Sequence, residues 1–133
     1  MSPFGEIMKR AVEATPDAVG GAFADATGEM VDSFAKNYEA TDWAILTAHY
    51  GVILAHLHAA FGIWHFGGPE YFVAQHQQLG IVVHALEGGY YALLAVDRKT
   101  QRPATRDDDF ADFASPALAS LRVAAKDLHR EMA

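Results

Sequence analysis

The chain predicts an α+β fold: an α/β sandwich around one five-stranded, mainly antiparallel sheet, in the order helix-strand-strand-helix-strand-strand-strand-helix. Three observations carry this. Apolar residues repeat at intervals of three and four near both ends of the chain and at intervals of two in several segments between. The short turns Asp25-Ala26-Thr27-Gly28 and Glu87-Gly88-Gly89 separate neighbouring strand-like runs and so mark hairpins. The stretch between Asp42 and Glu70 holds no Lys, Arg, Asp or Glu, as a long apolar helix set between two strand groups would.

Taken in order, Ser2 caps a first helix with Pro3 at its opening position, and Phe4, Ile7, Met8, Ala11 and Val12 form its apolar stripe. Thr15-Pro16-Asp17 ends it, because the residue before a proline is pushed out of the helical region. A strand follows over 18–24, with Ala18, Gly20, Ala22 and Ala24 forming a small face that lets a helix come close. Its hairpin partner spans 29–37. The long helix is expected to be capped by Thr41 or Asp42 and to close at Gly67-Gly68-Pro69. Strands at 71–77, 81–86 and 90–96 come next. A polar loop over 99–114 includes Asp107, Asp108 and Asp109, and Ser115-Pro116 opens the last helix, with the stripe Leu118, Leu121, Ala125, Leu128 and Met132. Residues 1–133 form one domain, and no internal repeat is present.

The long helix is apolar on more than one side. Trp43, Leu46, Tyr50, Ile53, Leu54, Leu57, Phe61 and Trp64 make a large face; Ala44, Ala48, Gly51, Ala55, Ala59 and Gly62 make a small one. A surface helix of a monomer needs one buried stripe, so a second apolar face calls for a second cover, and in a chain this short that cover is another copy. The small face is taken as the seam between helices. Packing of ridges into grooves also permits the reverse, with the small face on the chain's own sheet. A membrane span has the right length here, but His49, His56, His58 and Thr47 interrupt the flanks and no basic cluster marks an end.

Composition narrows the function. A hydrophobic fraction of 51% excludes general disorder. A formal charge of −7 disfavours nucleic acid and anionic lipid, both of which require basic surface. There is no cysteine, hence no disulfide framework and no thiolate metal site, and a cytoplasmic location is expected.

The segment Ala14-Thr15-Pro16-Asp17-Ala18-Val19-Gly20-Gly21-Ala22, the Asp25-Ala26-Thr27-Gly28 hairpin, the helix from Trp43 to Leu57 and the run Leu86-Glu87-Gly88-Gly89-Tyr90-Tyr91-Ala92-Leu93-Leu94 together resemble the roadblock / dynein light chain 7 family. The resemblance covers residues 3–98 and, loosely, the last helix. It implies a homodimer in which the central helices pack together and the two sheets continue into one. It also implies a regulator or platform for a small Ras-like GTPase, some bacterial members stimulating hydrolysis without an arginine finger by biasing the GTPase's own active site. The 99–114 segment departs from that pattern, being longer than the family's connection.

The residues point to no catalytic centre. The seven histidines lack the spacing of a helix-borne zinc pair, although His76 and His84 are expected on neighbouring strands. Asp107 to Asp109 lack the spaced ligands of a calcium loop, and Gly20-Gly21 lie inside a strand rather than at a phosphate-binding helix start. No cofactor or metal is called for, and the chain is not expected to be an enzyme. Two readings follow: a GTPase-regulating or scaffolding homodimer, whose partner chain could also be a relative, and a profilin- or PAS-like small-molecule sensor with Tyr71, Phe72, Tyr90 and Tyr91 lining a pocket.

Overall fold

The Ser2 hydroxyl accepts a hydrogen bond from the Gly5 amide at 3.2 Å, and with Pro3 in the first turn it starts helix α1, Pro3–Glu13. Seven further elements follow in the computed structural model, which describes residues 2–98 and 112–133. Strands β1 (Ala18–Ala24) and β2 (Met30–Ala35) precede helix α2 (Ala40–Phe61). Strands β3 (Tyr71–Gln75), β4 (Leu79–Ala85) and β5 (Tyr91–Asp97) precede helix α3 (Ala114–Met132). All strand pairs are antiparallel, and the sheet order is β2-β1-β5-β4-β3. The predicted α+β class and element order hold. Residues 1 and 99–111, with most of the polar loop and its three aspartates, lie outside the described residues.

The two hairpins close as their turn residues dictate. The Asp25 carboxylate accepts from the Thr27 amide (2.9 Å), the Thr27 hydroxyl (2.6 Å) and the Glu29 amide (3.1 Å), and Gly28 takes the left-handed conformation at φ 87°. The Thr27 hydroxyl and these backbone amides hold the Asp25 carboxyl below its ordinary value. The second turn, Glu87–Gly89, is a single 3-10 turn with Gly88 and Gly89 at positive φ.

Helices α1 and α3 cover one face of the sheet, α2 the other. On the first side Ile7, Met8, Val12, Phe23, Val82, Leu94, Leu121 and Leu128 form one buried cluster. On the second, Ala22, Ala24, Trp43, Tyr50, Leu54, Ile81, Val83, Tyr91 and Leu93 form another. Tyr91 to Val96 of β5 alternate between the two clusters, which is why every residue of that central run is buried.

The small face of β1 does what its composition predicts, with one exception. A Cβ on Gly20 would lie 2.7 Å from Cη2 of Trp43, so the missing side chain is what admits the indole. Ala18 instead joins the α1–α3 side, because the register with β5 shifts between Ala18 and Gly20 and reverses the alternation.

Several ends differ from the sequence expectation. Helix α2 ends at Phe61, with the Gly62 amide donating to the His58 carbonyl at 2.8 Å, rather than at Gly67-Gly68-Pro69, and β2 and β3 are shorter than 29–37 and 71–77. The cap of α2 is Glu39, whose carboxylate accepts from the Thr41 and Asp42 amides at 3.1 and 3.2 Å. Those two bonds hold the Glu39 carboxyl below its usual range. Helix α3 begins at Ala114 rather than at Ser115-Pro116, and the Asp112 carboxylate accepts from the Ser115 amide at 3.0 Å. Strand β4 begins at Leu79 because the His76 amide donates to the Leu79 carbonyl at 2.8 Å and closes the β3–β4 hairpin early.

Gly20→Val forces the indole or the strand to move and should destabilise the fold by about 1–3 kcal/mol, read as a lower urea midpoint. An unchanged midpoint would mean that Trp43 does not rest on β1.

Candidate interaction surface

Helix α2 has the composition of a core helix and the exposure of a surface one. Trp43, Thr47, Tyr50 and Leu54, spaced four, three and four, are its buried residues. The Trp43 ring also meets Tyr38 with centroids 5.2 Å apart. The Thr47 hydroxyl donates to the Trp43 carbonyl at 2.9 Å, and the Thr47 carbonyl accepts from the Tyr91 hydroxyl at 2.8 Å. Tyr50 packs near Phe72, and its hydroxyl meets Nε2 of His76.

The opposite side of α2 faces outward. Ile45, His49, Val52, His56, Ala59 and Ile63 follow one another at four, three, four, three and four, a coiled-coil-like stripe that ends just past the helix. Val52 is 55% exposed and Ile63 88%. Ile53 flanks the stripe; Phe61, in line with Trp43 and Leu54, is exposed at the end of the inner line, and Trp64 and Phe66 stack on each other beyond it with centroids 6.1 Å apart and planes 11° from parallel. Large exposed apolar patches of this kind mark contact surfaces. By length and composition alone, Ala40–Phe61 is also a helix able to cross a membrane.

The six small residues read as a seam are divided. Ala44, Ala48 and Gly51 are half-buried; Ala55, Ala59 and Gly62 are exposed. Ala48 lies against Gly28 of the first turn, and a side chain on Gly51 would strike the Tyr91 ring. Below them a groove of about 360 Å³ runs between α2 and that turn, lined by Ala26, Thr27, Gly51, Val52, Ala55 and His56 among others. The stripe was legible in the three-four spacing from Ile45 onward. Sorting α2 by side-chain size obscured it, because the stripe mixes large, small and polar residues.

Other expected sites come apart. The β3–β4 register sets Tyr71 opposite His84, whereas His76 lies past the other end of β3, so the two histidines are at opposite ends of the hairpin. Among the described residues no group of three His, Asp or Glu is arranged to hold a metal. The four aromatics of the sensor reading do not share a pocket. Tyr91 and Phe72 lie on the α2 side, Tyr90 stacks on Phe23 (5.5 Å) on the other, and Tyr71 sits beneath the Arg122 guanidinium at 5.9 Å. A second groove, about 330 Å³, opens between α1 and α3 over Ile7, Ala11, Ala119 and Val123, with Arg10 and Asp127 at its rim.

No family model matches the chain, and no curated protein matches it. Solved structures match in fold. The Roadblock/LC7 domain from Streptomyces avermitilis aligns at a TM-score of 0.75 and 13% identity, over 96% of this chain and 95% of that one. Myxococcus xanthus MglB aligns at 0.77 and 9% identity, over 99% and 96%. The chain has the roadblock fold. A Schizosaccharomyces pombe profilin shares this layout more distantly, at a TM-score of 0.56 and 10% identity over 95% and 96% of the two chains. Among the three helices of this roadblock fold α2 has the smallest buried share, and β2 and β3 are the edge strands of the sheet.

Burial, and secondarily the charge of Asp25, push the Tyr91 hydroxyl up to about 12 from an ordinary 10.0. Burial raises Tyr50 as well. A folded-state value above the unfolded one means stability that is complete below pH 10.0 and is lost as the pH rises towards about 12. Tyr91→Phe should flatten that alkaline arm in urea titrations while costing about 0.5–1.5 kcal/mol at neutral pH from the lost hydrogen bond.

Proposed function

We propose that this chain is a non-catalytic regulator or scaffold for a small Ras-like GTPase, acting as a homodimer joined through the outward face of α2. The observation that carries this is the stripe from Ile45 to Ile63: apolar, spaced for helix pairing, and free of Lys, Arg, Asp and Glu. Over such a surface a chain with a formal charge of −7 can meet its own copy without burying like charges. Ala55 and Ala59 of the small-residue seam let the second helix come close. The outer edge of β3, next in sequence to the Trp64–Phe66 tip, is placed to continue the sheet into the second copy.

The bilayer is the weaker occupant. Trp43, Thr47, Tyr50 and Leu54 are already committed to the sheet, and His49 and His56 sit mid-stripe, where lipid offers them no partner. The sensor reading is weaker too, since its four aromatics are divided between the two faces. A GTPase partner fits the likeness in sequence and in fold to roadblock proteins. In this reading the chain supplies no catalytic group: it biases hydrolysis in the partner's own active site or tethers the partner, in the cytoplasm.

The test is capture from source lysate with tagged chain, with and without a non-hydrolysable GTP analogue, followed by a hydrolysis assay on any captured GTPase. Nucleotide-dependent capture of a small GTPase supports the proposal; capture of none in either condition overturns the partner. Val52→Asp separates the pairing from the fold. It should give a monomer by light scattering with unchanged helical circular dichroism, since Val52 is exposed within the chain. A variant that stays dimeric would move the joint off this face.

A further inference from the structure

The outward stripe of α2 carries two side chains that can gain charge, His49 and His56, one heptad apart. We propose that they make self-association proton-dependent, the pair forming above the range in which imidazole titrates and separating below it. This rests on the pairing through α2 argued above.

His49 Nδ1 lies 2.8 Å from the Ile45 carbonyl, which can only accept, so Nδ1–H donates to it and Nε2 is the open nitrogen of the neutral ring. His56 lies one heptad further on and borders the groove over Ala26 and Thr27. A proton on either ring places a cation in a stripe that, among the described residues, contains no acid.

Among the described residues, the ionisable groups on the surrounding elements form no ion pair with either ring. The first turn carries Asp25, whose carboxylate is engaged by Thr27 and the Glu29 amide, and Glu29, whose side chain is exposed. From the strands below, Tyr91 donates to the Thr47 carbonyl, and His76, past the end of β3, meets Tyr50. Asp32 of β2 is bonded to Ser2 at the start of α1. On α2 itself Glu39 and Asp42 are confined to the first turn. His58 packs on Gly68, and His65 stands edge-on to Phe66 at 5.4 Å.

The sign follows from burial. Enclosure between two apolar helix faces disfavours imidazolium, so the pair sheds protons as it forms. Affinity is therefore full above the imidazole range and falls as the pH drops through it. Each excluded site contributes up to about tenfold in Kd per pH unit below its midpoint, and a dimer holds two copies of each histidine. With an ordinary imidazole midpoint of about 6.5, the four sites set a ceiling of about 10⁴-fold on the rise in Kd between about pH 8 and about pH 5.5, and a rise of about a hundredfold is expected.

Sedimentation equilibrium of the full chain across that range, beside His49→Gln, His56→Gln and the double variant, tests this, with the imidazole resonances followed by NMR. The expected result is a dimer at the upper pH that dissociates in acid, a flatter response in each single variant and a dimer largely indifferent to pH in the double one. A wild-type dimer stable throughout overturns the proton dependence and leaves the pairing intact. A monomer at the upper pH overturns the pairing, and the proton dependence with it. If the double variant dissociates in step with the wild type, or the two rings titrate in the dimer as free imidazole does, the protons act elsewhere and the proposal fails.

Discussion

The seat of Trp43 on Gly20 sets the geometry on which the rest of the molecule depends. An indole cannot approach a strand that bears a Cβ at that point, and β1 offers Gly20 beside Ala22 and Ala24. Once Trp43 is fixed, residues at helical spacing from it must face the sheet, and Thr47, Tyr50 and Leu54 do. The rotation of α2 is then settled. Ile45, His49, Val52 and His56 face outward because Trp43 faces inward, so the candidate surface follows from a packing contact on the other side of the helix.

That dependence explains what could be read from the chain and what could not. Element order and type were legible, since α1, β1, β4, β5 and α3 carry clear periods or turn residues at their ends. The rotation of α2 was not, because a helix apolar all round has no preferred side in its own sequence. Sorting its residues by size gave a large face and a small face. In the structure Trp43 and Ile53, assigned to one face, lie in the core and in solvent respectively. Caps were misread for a related reason. Glu39 and Asp112 reach forward with longer or more distant carboxylates, while the nearer Thr41, Asp42 and Ser115 matched the usual pattern.

The two sides of the sheet are finished to different degrees. On the α1–α3 side Phe113 settles into the notch left by Gly80, with the Arg98 guanidinium 5.7 Å from its ring. The Arg98 head donates to the His76 carbonyl at 2.6 Å, tying the β3–β4 turn to the end of β5. The Thr15 and Ser120 hydroxyls, 2.7 Å apart, join the end of α1 to α3. Two helices and these polar ties cover that face, apart from the groove between α1 and α3. On the other side one helix lies across five strands with a single line of contact, and its own outer face is as apolar as the inner one. A partner gains most where the chain has covered itself least.

Histidine in the middle of that outer stripe is an expensive choice if affinity were the sole requirement, since leucine at both positions would bury more apolar area. Polar residues in a helix seam lower stability and, in return, restrict which registers and partners are tolerated. With His49 and His56 a heptad apart, a shifted helix pair would oppose each imidazole with Ile45, Val52 or Ala59 and leave its open nitrogen unsatisfied. In the proposed pair the same two side chains bear on register as well as on proton dependence. A purely aliphatic stripe would associate more tightly and discriminate less between this chain and a relative.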